Sequence, residues 1–194
     1  MHGRIEVICG GMFAGKTEEL IRRLHRATLA GKEVTAFKPA LDSRYSAMNL
    51  ATHSGALFPA VPVKRADDIL DHVTKYKQVD VVGIDEAQFF DMRLGDVVET
   101  LANRGLRIVL AGLDLDSAGE PFGPMPQLLA LAEVVSKVKA VCMKCGVDAT
   151  RSQRLRAAKG QILVGAQDSY EARCRGCWSR ATPSSRDTVG EADS

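Results

Sequence analysis

The sequence predicts an α/β fold: a mostly parallel sheet flanked by helices, with a small metal-pinned lobe near the carboxyl terminus. Three observations carry that prediction. Strand-like and helix-like segments alternate through residues 4–141, as repeated β-α units do. The strand-like runs at 79–84 and 106–111 are almost continuously apolar, as parallel strands buried on both faces are. Two C-x-x-C pairs lie outside this alternation, towards the end of the chain.

The first strand, Arg4-Ile5-Glu6-Val7-Ile8-Cys9, alternates in polarity. A helix follows from about residue 17 to residue 30 and stops at Gly31, a C′ glycine. Val34-Thr35-Ala36-Phe37 is a short strand closed by Pro39. Residues 67–75 read as a helix with Ile69, Leu70 and Val73 on one face. The strand at 79–84 is next, then a helix at 94–103 that ends before Gly105. The strand at 106–111 leads to a helix at 127–132 and to strand-like 134–135 and 138–141. Residues 181–194 hold Pro, Ser, Gly and charge, with Val189 as their one larger aliphatic, and are expected to be a disordered tail.

Composition narrows the function. A chain of 194 residues can bury one proper core with a small appendage. Its 45% apolar and 26% charged content is that of an ordinary soluble domain. The net charge of +2 argues against strong binding to a nucleic-acid backbone. No run of 18 apolar residues occurs, so no membrane partner is expected. Strand-like sequence begins within four residues of the start, with no apolar signal segment, and a cytoplasmic location is the expectation. Five cysteines in such a chain read as metal ligands or free thiols before disulfides. Cys9, outside the two pairs, reads as a buried free thiol.

Three motifs carry chemistry. Gly10-Gly11-Met12-Phe13-Ala14-Gly15-Lys16-Thr17 fits G-x-x-x-x-G-K-[ST], the phosphate-binding P-loop, in its required context of strand, loop and helix start. Backbone N–H groups and the positive end of the helix dipole would face the phosphates. Lys16 adds a charge on the β/γ-phosphates and the Thr17 hydroxyl is a ligand for Mg²⁺. These features imply a bound nucleoside triphosphate such as ATP. Asp85 and Glu86 follow the apolar strand at 79–84, which is the Walker B pattern. Asp85 would hold Mg²⁺, directly or through water, and Glu86 is the candidate general base. Capping of a strand–loop junction is the other reading of the pair. Cys142-Met143-Lys144-Cys145 and Cys174-Arg175-Gly176-Cys177 are separated by residues 146–173. Four thiolates close a tetrahedral Zn²⁺ site and leave no open position, so the zinc would be structural. The spacing exceeds that of common zinc ribbons, so the two knuckles must pin the base of a longer excursion.

With these motifs the chain resembles the cytosolic, zinc-containing (type II) thymidine kinases over roughly residues 3–178. The resemblance rests on Gly10 to Thr17 with its Met-Phe insert, Phe37-Lys38-Pro39, Asp42-Ser43-Arg44-Tyr45 and Thr52-His53-Ser54-Gly55. It continues through Ile84-Asp85-Glu86-Ala87-Gln88-Phe89-Phe90, Ala111-Gly112-Leu113-Asp114, Pro121-Phe122, Ala140-Val141-Cys142 and Tyr170 with the closing Cys174-x-x-Cys177. It implies a P-loop, RecA-like kinase domain at residues 1–140 and a zinc-binding lasso domain at 141–180. It implies Glu86 as the catalytic base. Gly10 to Thr17, Asp42, Arg44, Asp85 and Gln88 would be nucleotide and Mg²⁺ residues. Met12, Phe89, Leu113 and Phe122 would line the thymine pocket, and Cys142, Cys145, Cys174 and Cys177 would hold zinc. Residues 146–173 would be a lasso folding over the nucleoside, with Gln161, Ile162, Leu163, Val164, Gly165 and Tyr170 in contact with it. It also implies a thymidine substrate, feedback inhibition by thymidine triphosphate, and a homotetramer. Gly11 stands where many members have Pro and Ala14 where many have Ser; neither removes a group the main-chain cradle needs.

Packing readings stand beside these roles. Phe89, Leu113 and Phe122 also suit a core, Phe90 suits a core best, and Tyr170 also suits packing against the metal knuckle. Arg151, Arg154 and Arg156 lack interleaved aromatics in sequence, so a solvated strand fits them better than a nucleic-acid patch. The function reading is transfer of the γ-phosphate of ATP to thymidine. The alternative is a zinc-ribbon nucleic-acid-binding ATPase. A motor of that kind would want a longer chain and a basic channel.

Overall fold

The computed structural model describes residues 3–40, 49–51, 55–76, 78–155 and 169–179. Its centre is a six-stranded sheet. The strands are β1 (Arg4–Cys9), β2 (Val34–Pro39), β5 (Val61–Val63), β6 (Val81–Ile84), β7 (Arg107–Gly112) and β8 (Val134–Lys137), in the order β5-β2-β6-β7-β1-β8. Every pair is parallel. Strands β3 (Asn49–Ala51) and β4 (Leu57–Pro59) form a separate antiparallel pair.

The two faces of the sheet divide by the period of two along each strand. Ile8, Val81, Val109 and Ala111 face α1 (Lys16–Leu29), which buries Leu20, Ile21, Leu24 and Ala27 against them. Gly83 lets that helix come close: a Cβ there would lie 2.6 Å from a Leu24 methyl. Ile5, Val7, Val82, Ile84, Ile108 and Leu110 share the other cluster with α2 (Ala66–Lys75), α3 (Leu94–Asn103) and α4 (Met125–Leu131). Each large aliphatic side chain buried this way contributes roughly 1.5–3 kcal/mol relative to exposure. Among the described residues no helix is long and apolar enough to cross a membrane.

The predicted α/β class is what the structure has, with local differences. The expected strand at 138–141 is divided. Val138 donates its N–H to the Cys9 carbonyl at 2.8 Å, at the edge of the main sheet. Ala140–Val141 (β9) then pairs with Asp148–Ala149 (β10) in the small lobe. The helix expected at 127–132 begins two residues earlier, at Met125, behind Pro124. The lobe also holds the antiparallel pair β11 (Arg151–Arg154) and β12 (Tyr170–Arg173).

Candidate active site

The carboxyl ends of the parallel strands gather the predicted groups on one edge, where sites of open α/β sheets lie. The P-loop leaves the end of β1. Gly10 has φ 147°, and a Cβ there would meet the Val138 carbonyl oxygen at 2.3 Å, so only glycine fits this turn. Phe13 follows at φ 63° and is 41% exposed. Lys16 donates from Nζ to the Gly11 carbonyl at 2.8 Å, folding its ammonium back over the loop. Burial lowers the proton affinity of Lys16, and Glu86, Asp85 and Asp114 act against that shift.

Asp85 ends β6, two strands from β1 with β7 between them. The Thr17 hydroxyl donates to Asp85 Oδ2 at 3.0 Å. Burial first, and then the neighbouring Glu86 carboxylate, push Asp85 up to about 7. A hydroxyl beside a buried carboxylate is a hard-oxygen donor pair of the kind Mg²⁺ takes. Thr17 and Asp85 therefore fit the metal.

Glu86 has φ 51° and ψ 40°, a left-handed conformation that is uncommon for residues with a side chain. A short 3₁₀ turn (Ala87–Phe89) follows it. Gln88 donates from Nε2 to Glu86 Oε2 at 2.5 Å and accepts the Leu113 N–H on Oε1 at 2.9 Å. Phe89 and Phe122 meet edge to face, with centroids 5.5 Å apart. Asp116 holds the loop between Leu113 and Phe122 by accepting from the N–H groups of Ala118 and Glu120 at 2.9 and 3.0 Å.

The small lobe rests on the P-loop. The Met12 N–H donates to Ser152 Oγ at 3.0 Å. Ala14 shares a buried cluster with Ala140, Cys142, Ala149 and Ala172. The sulfurs of Cys142, Cys145, Cys174 and Cys177 all lie within 4.8 Å of one another, and those of Cys145 and Cys174 are 3.7 Å apart. Tetrahedral zinc with bonds of about 2.3 Å sets its sulfurs about 3.8 Å apart, so this cluster fits the ion. Cys9 is free and buried, as its sequence reading has it.

The structure thus brings together Lys16, Thr17, Asp85, Glu86 and Gln88, and beside them Leu113, Phe89 and Phe122. Tyr170 lies on β12, where its hydroxyl accepts from Arg154 Nη2 at 3.0 Å. Asp42, Arg44 and the stretch Gln161, Ile162, Leu163, Val164 and Gly165 lie outside the described residues. Sequence reasoning missed three contributors. They are the Gln88 bridge, Ser152 under the P-loop, and buried Asp114, which pairs with Lys137 Nζ at 2.6 Å. Each depends on which strands are neighbours. Gln88, two residues from Glu86, and Asp114, in the Ala111-Gly112-Leu113-Asp114 motif, had a sequence signal, and Ser152 had none. Arg151 does have an aromatic partner, the Trp178 indole, at 5.3 Å.

An anion cradle at one strand end and an acidic pair two strands away define a P-loop nucleotide-binding protein. Residues 3–178 match the sequence profile of the family described as Thymidine kinase. The chain belongs to that family, and so to the nucleoside kinases. Among solved structures it is similar to domain III of the Thermotoga maritima replication initiation protein DnaA, at 16% identity and a TM-score of 0.43. That match covers 71% of this chain and 55% of the DnaA chain.

Proposed function

We propose that the protein is an ATP-dependent thymidine kinase that also accepts deoxyuridine, in salvage of pyrimidine deoxynucleosides. The observation that carries this reading is the Glu86 carboxylate just after β6, held by Gln88 and next to Asp85, which accepts the hydroxyl of the P-loop Thr17. Glu86 takes the proton of the 5′-hydroxyl as that oxygen attacks the γ-phosphorus. The new bond joins O5′ to phosphorus. The bond to the β–γ bridging oxygen breaks, and ADP leaves with its electrons. The P-loop N–H groups and Lys16 hold the β/γ-phosphates. Mg²⁺, taken by Thr17 and Asp85, supplies neutralisation of phosphate charge when bound. Asp42 and Arg44 are assigned to the phosphate side by the resemblance alone.

Met12, Phe89, Leu113 and Phe122 are assigned to the thymine pocket, with Tyr170 and residues 161–165 folding over the nucleoside. The main chain of 161–165 is proposed to read the base. Thymine offers an N3–H donor between two carbonyl acceptors, and cytosine reverses two of those three groups. A site built on buried hydrogen bonds rejects such a mismatch by roughly 10⁴–10⁵-fold. One methyl is worth only about 1–3 kcal/mol, which keeps deoxyuridine as a weaker substrate. The division into a kinase unit at 1–140 and a zinc lasso unit at 141–180 is part of this reading. So are cytoplasmic location, a homotetramer and inhibition by thymidine triphosphate.

The test is ADP release from ATP and Mg²⁺ in the presence of thymidine, deoxyuridine, deoxycytidine, DNA or RNA. Thymidine should give the highest kcat/KM, deoxyuridine less, and the others none. Leu163→Ala should weaken binding and keep that ranking. Efficient use of deoxycytidine overturns the assignment, and release that depends on DNA or RNA favours the zinc-ribbon ATPase.

A further inference from the structure

We propose that Gln88 is a positioning residue for the reaction: it holds the Glu86 carboxylate in its working orientation and ties it to the nucleoside pocket through Leu113. This rests on the reading of Glu86 as the base. Gln88 is 2% exposed, and its side-chain oxygen and nitrogen both have partners. Leu113 presents an N–H, so the atom facing it must be the oxygen, Oε1, at 2.9 Å. The amide nitrogen is then turned to Glu86 Oε2, at 2.5 Å. A donor held this way on a carboxylate forms one of the shorter and stronger hydrogen bonds a neutral group makes.

The backbone keeps the clasp rigid. Glu86 sits in the left-handed region, and the 3₁₀ turn closes with the Phe89 N–H on the Glu86 carbonyl at 3.0 Å. Gly123, at φ 49°, lies against the same turn. A Cβ there would be 2.2 Å from the Gln88 carbonyl oxygen, so the segment after Phe122 can approach only as glycine. Glu86 alone has three side-chain torsions to order before its oxygen can meet a 5′-hydroxyl. Gln88 settles them in advance. The family resemblance implies Gln88 as a nucleotide-binding residue. With both amide ends engaged inside the protein, its effect on the reaction runs through Glu86.

Gln88→Glu tests this. It keeps the side-chain shape and the acceptor for Leu113 N–H, and it replaces the donor to Glu86. Misplacing a reacting group by about 1 Å can cost 10²-fold, so kcat should fall roughly 10–10²-fold. KM for ATP and for thymidine should stay within about 3-fold, because ground-state binding is not what the clasp serves. The same change made in Glu86→Gln should cost at most about 2-fold more, since the group it positions is already gone. Gln88→Met, which removes both bonds, should follow the same pattern and stands in if Gln88→Glu does not fold. Wild-type kcat in these variants overturns the proposal. So does an equal loss in both backgrounds, which would mean that Gln88 acts independently of Glu86. A loss confined to KM for ATP would make Gln88 a nucleotide ligand instead. Wild-type turnover in Glu86→Gln alone would instead remove the base assignment, and the proposal with it.

Discussion

The sheet carries a charged cluster towards each end, and the two are built on opposite terms. Near the amino ends of the strands, buried Glu6 accepts from three guanidiniums: Arg4 Nε at 2.7 Å, Arg23 Nη1 at 2.9 Å, and Arg107 Nε and Nη2 at 2.7 and 3.0 Å. Burial alone would raise its proton affinity, but Arg107 and then Arg4 outweigh it and hold Glu6 below the usual carboxylate range. At the carboxyl ends, Asp85 has only hydroxyl and backbone donors among the described residues, and it is pushed up. Lys16 is pushed down. Asp114 Oδ1 has no hydrogen-bond partner among the described residues. Charge by itself would mislead here. The arginine-lined recess at the amino end, with Arg4, Arg22, Arg23, Arg26 and Arg107, has the look of an anion site. Yet Arg4, Arg22, Arg23 and Arg107 are already committed to Glu6 or Glu19. What separates the two ends is saturation. The satisfied cluster holds the fold, and the unsatisfied one offers the groups that a cation and phosphates would pair with.

The largest effect should come from a third cluster, the four cysteines whose spacing fits zinc. Cys174→Ser should remove the one zinc per chain, readable by metal analysis of purified protein. Structural zinc sites in small peptides are worth about 10–16 kcal/mol. The packing of the P-loop core argues from sequence for a local effect. Met12 on Ser152 and Ala14 on Cys142 argue that it reaches further. The variant should therefore also bind ATP more weakly. Unchanged ATP affinity after zinc loss would show that the lobe is an independent unit.

At the unsatisfied end, Glu86→Gln should lower kcat by about 10²–10⁴-fold, the range general-base catalysis supplies. Affinity for ATP and thymidine should stay close to wild type, by calorimetry. At the satisfied end, Glu6→Ala should leave kcat near wild type and lower stability. Removing one side of a buried ion pair costs about 3–5 kcal/mol. The lower figure fits here, because Arg4, with a side chain 53% exposed, can turn to water. Thermal unfolding should show a fall of roughly 6–12 °C. Glu6 is held below its ordinary value, so its contribution is present above the unfolded value and is lost as pH falls through the folded one. Acid should thus close the gap between wild type and variant.

Local pattern made much of this legible. Helices at 94–103 and near 17–30, and strands near 4–9, 79–84 and 106–111, announce themselves by periodicity and by apolar runs. Met125–Leu131 hid its start because Pro124 and Pro126 look like loop residues, though proline suits the first helical turn. The strands Asn49–Ala51, Leu57–Pro59, Val61–Val63 and Arg151–Arg154 have three or four residues each. Those are too few for a period, and their partners are fixed by contacts across the chain. The site divides in the same way. The P-loop, the acidic pair and the knuckles are contiguous motifs. The Gln88–Leu113 bridge and the Met12–Ser152 bond follow from tertiary contacts that no window of sequence contains.

The smallest effect on stability is the sharpest test, because its sign is opposite to that at Glu6. Asp85→Asn should abolish Mg²⁺-dependent turnover and yet stabilise the unliganded protein. The asparagine oxygen can still accept from Thr17, so the local packing survives, and a buried charge is removed. The folded value of Asp85, about 7, lies above its ordinary value. Its favourable contribution is therefore complete below the unfolded value and disappears as pH rises through the folded one. The wild type, freed of metal by a chelator, should gain stability as pH falls from neutral into the carboxylate range, and Asp85→Asn should not. At pH 8 the variant should be the more stable by on the order of 1 kcal/mol, or about 2–4 °C in Tm. Near pH 4 the two should converge. Added Mg²⁺ and ATP should raise the Tm of the wild type and leave the variant little changed. If Asp85→Asn is less stable than wild type at pH 8 without metal, the carboxyl edge is as well satisfied as the amino edge. The contrast between the two ends would then fail.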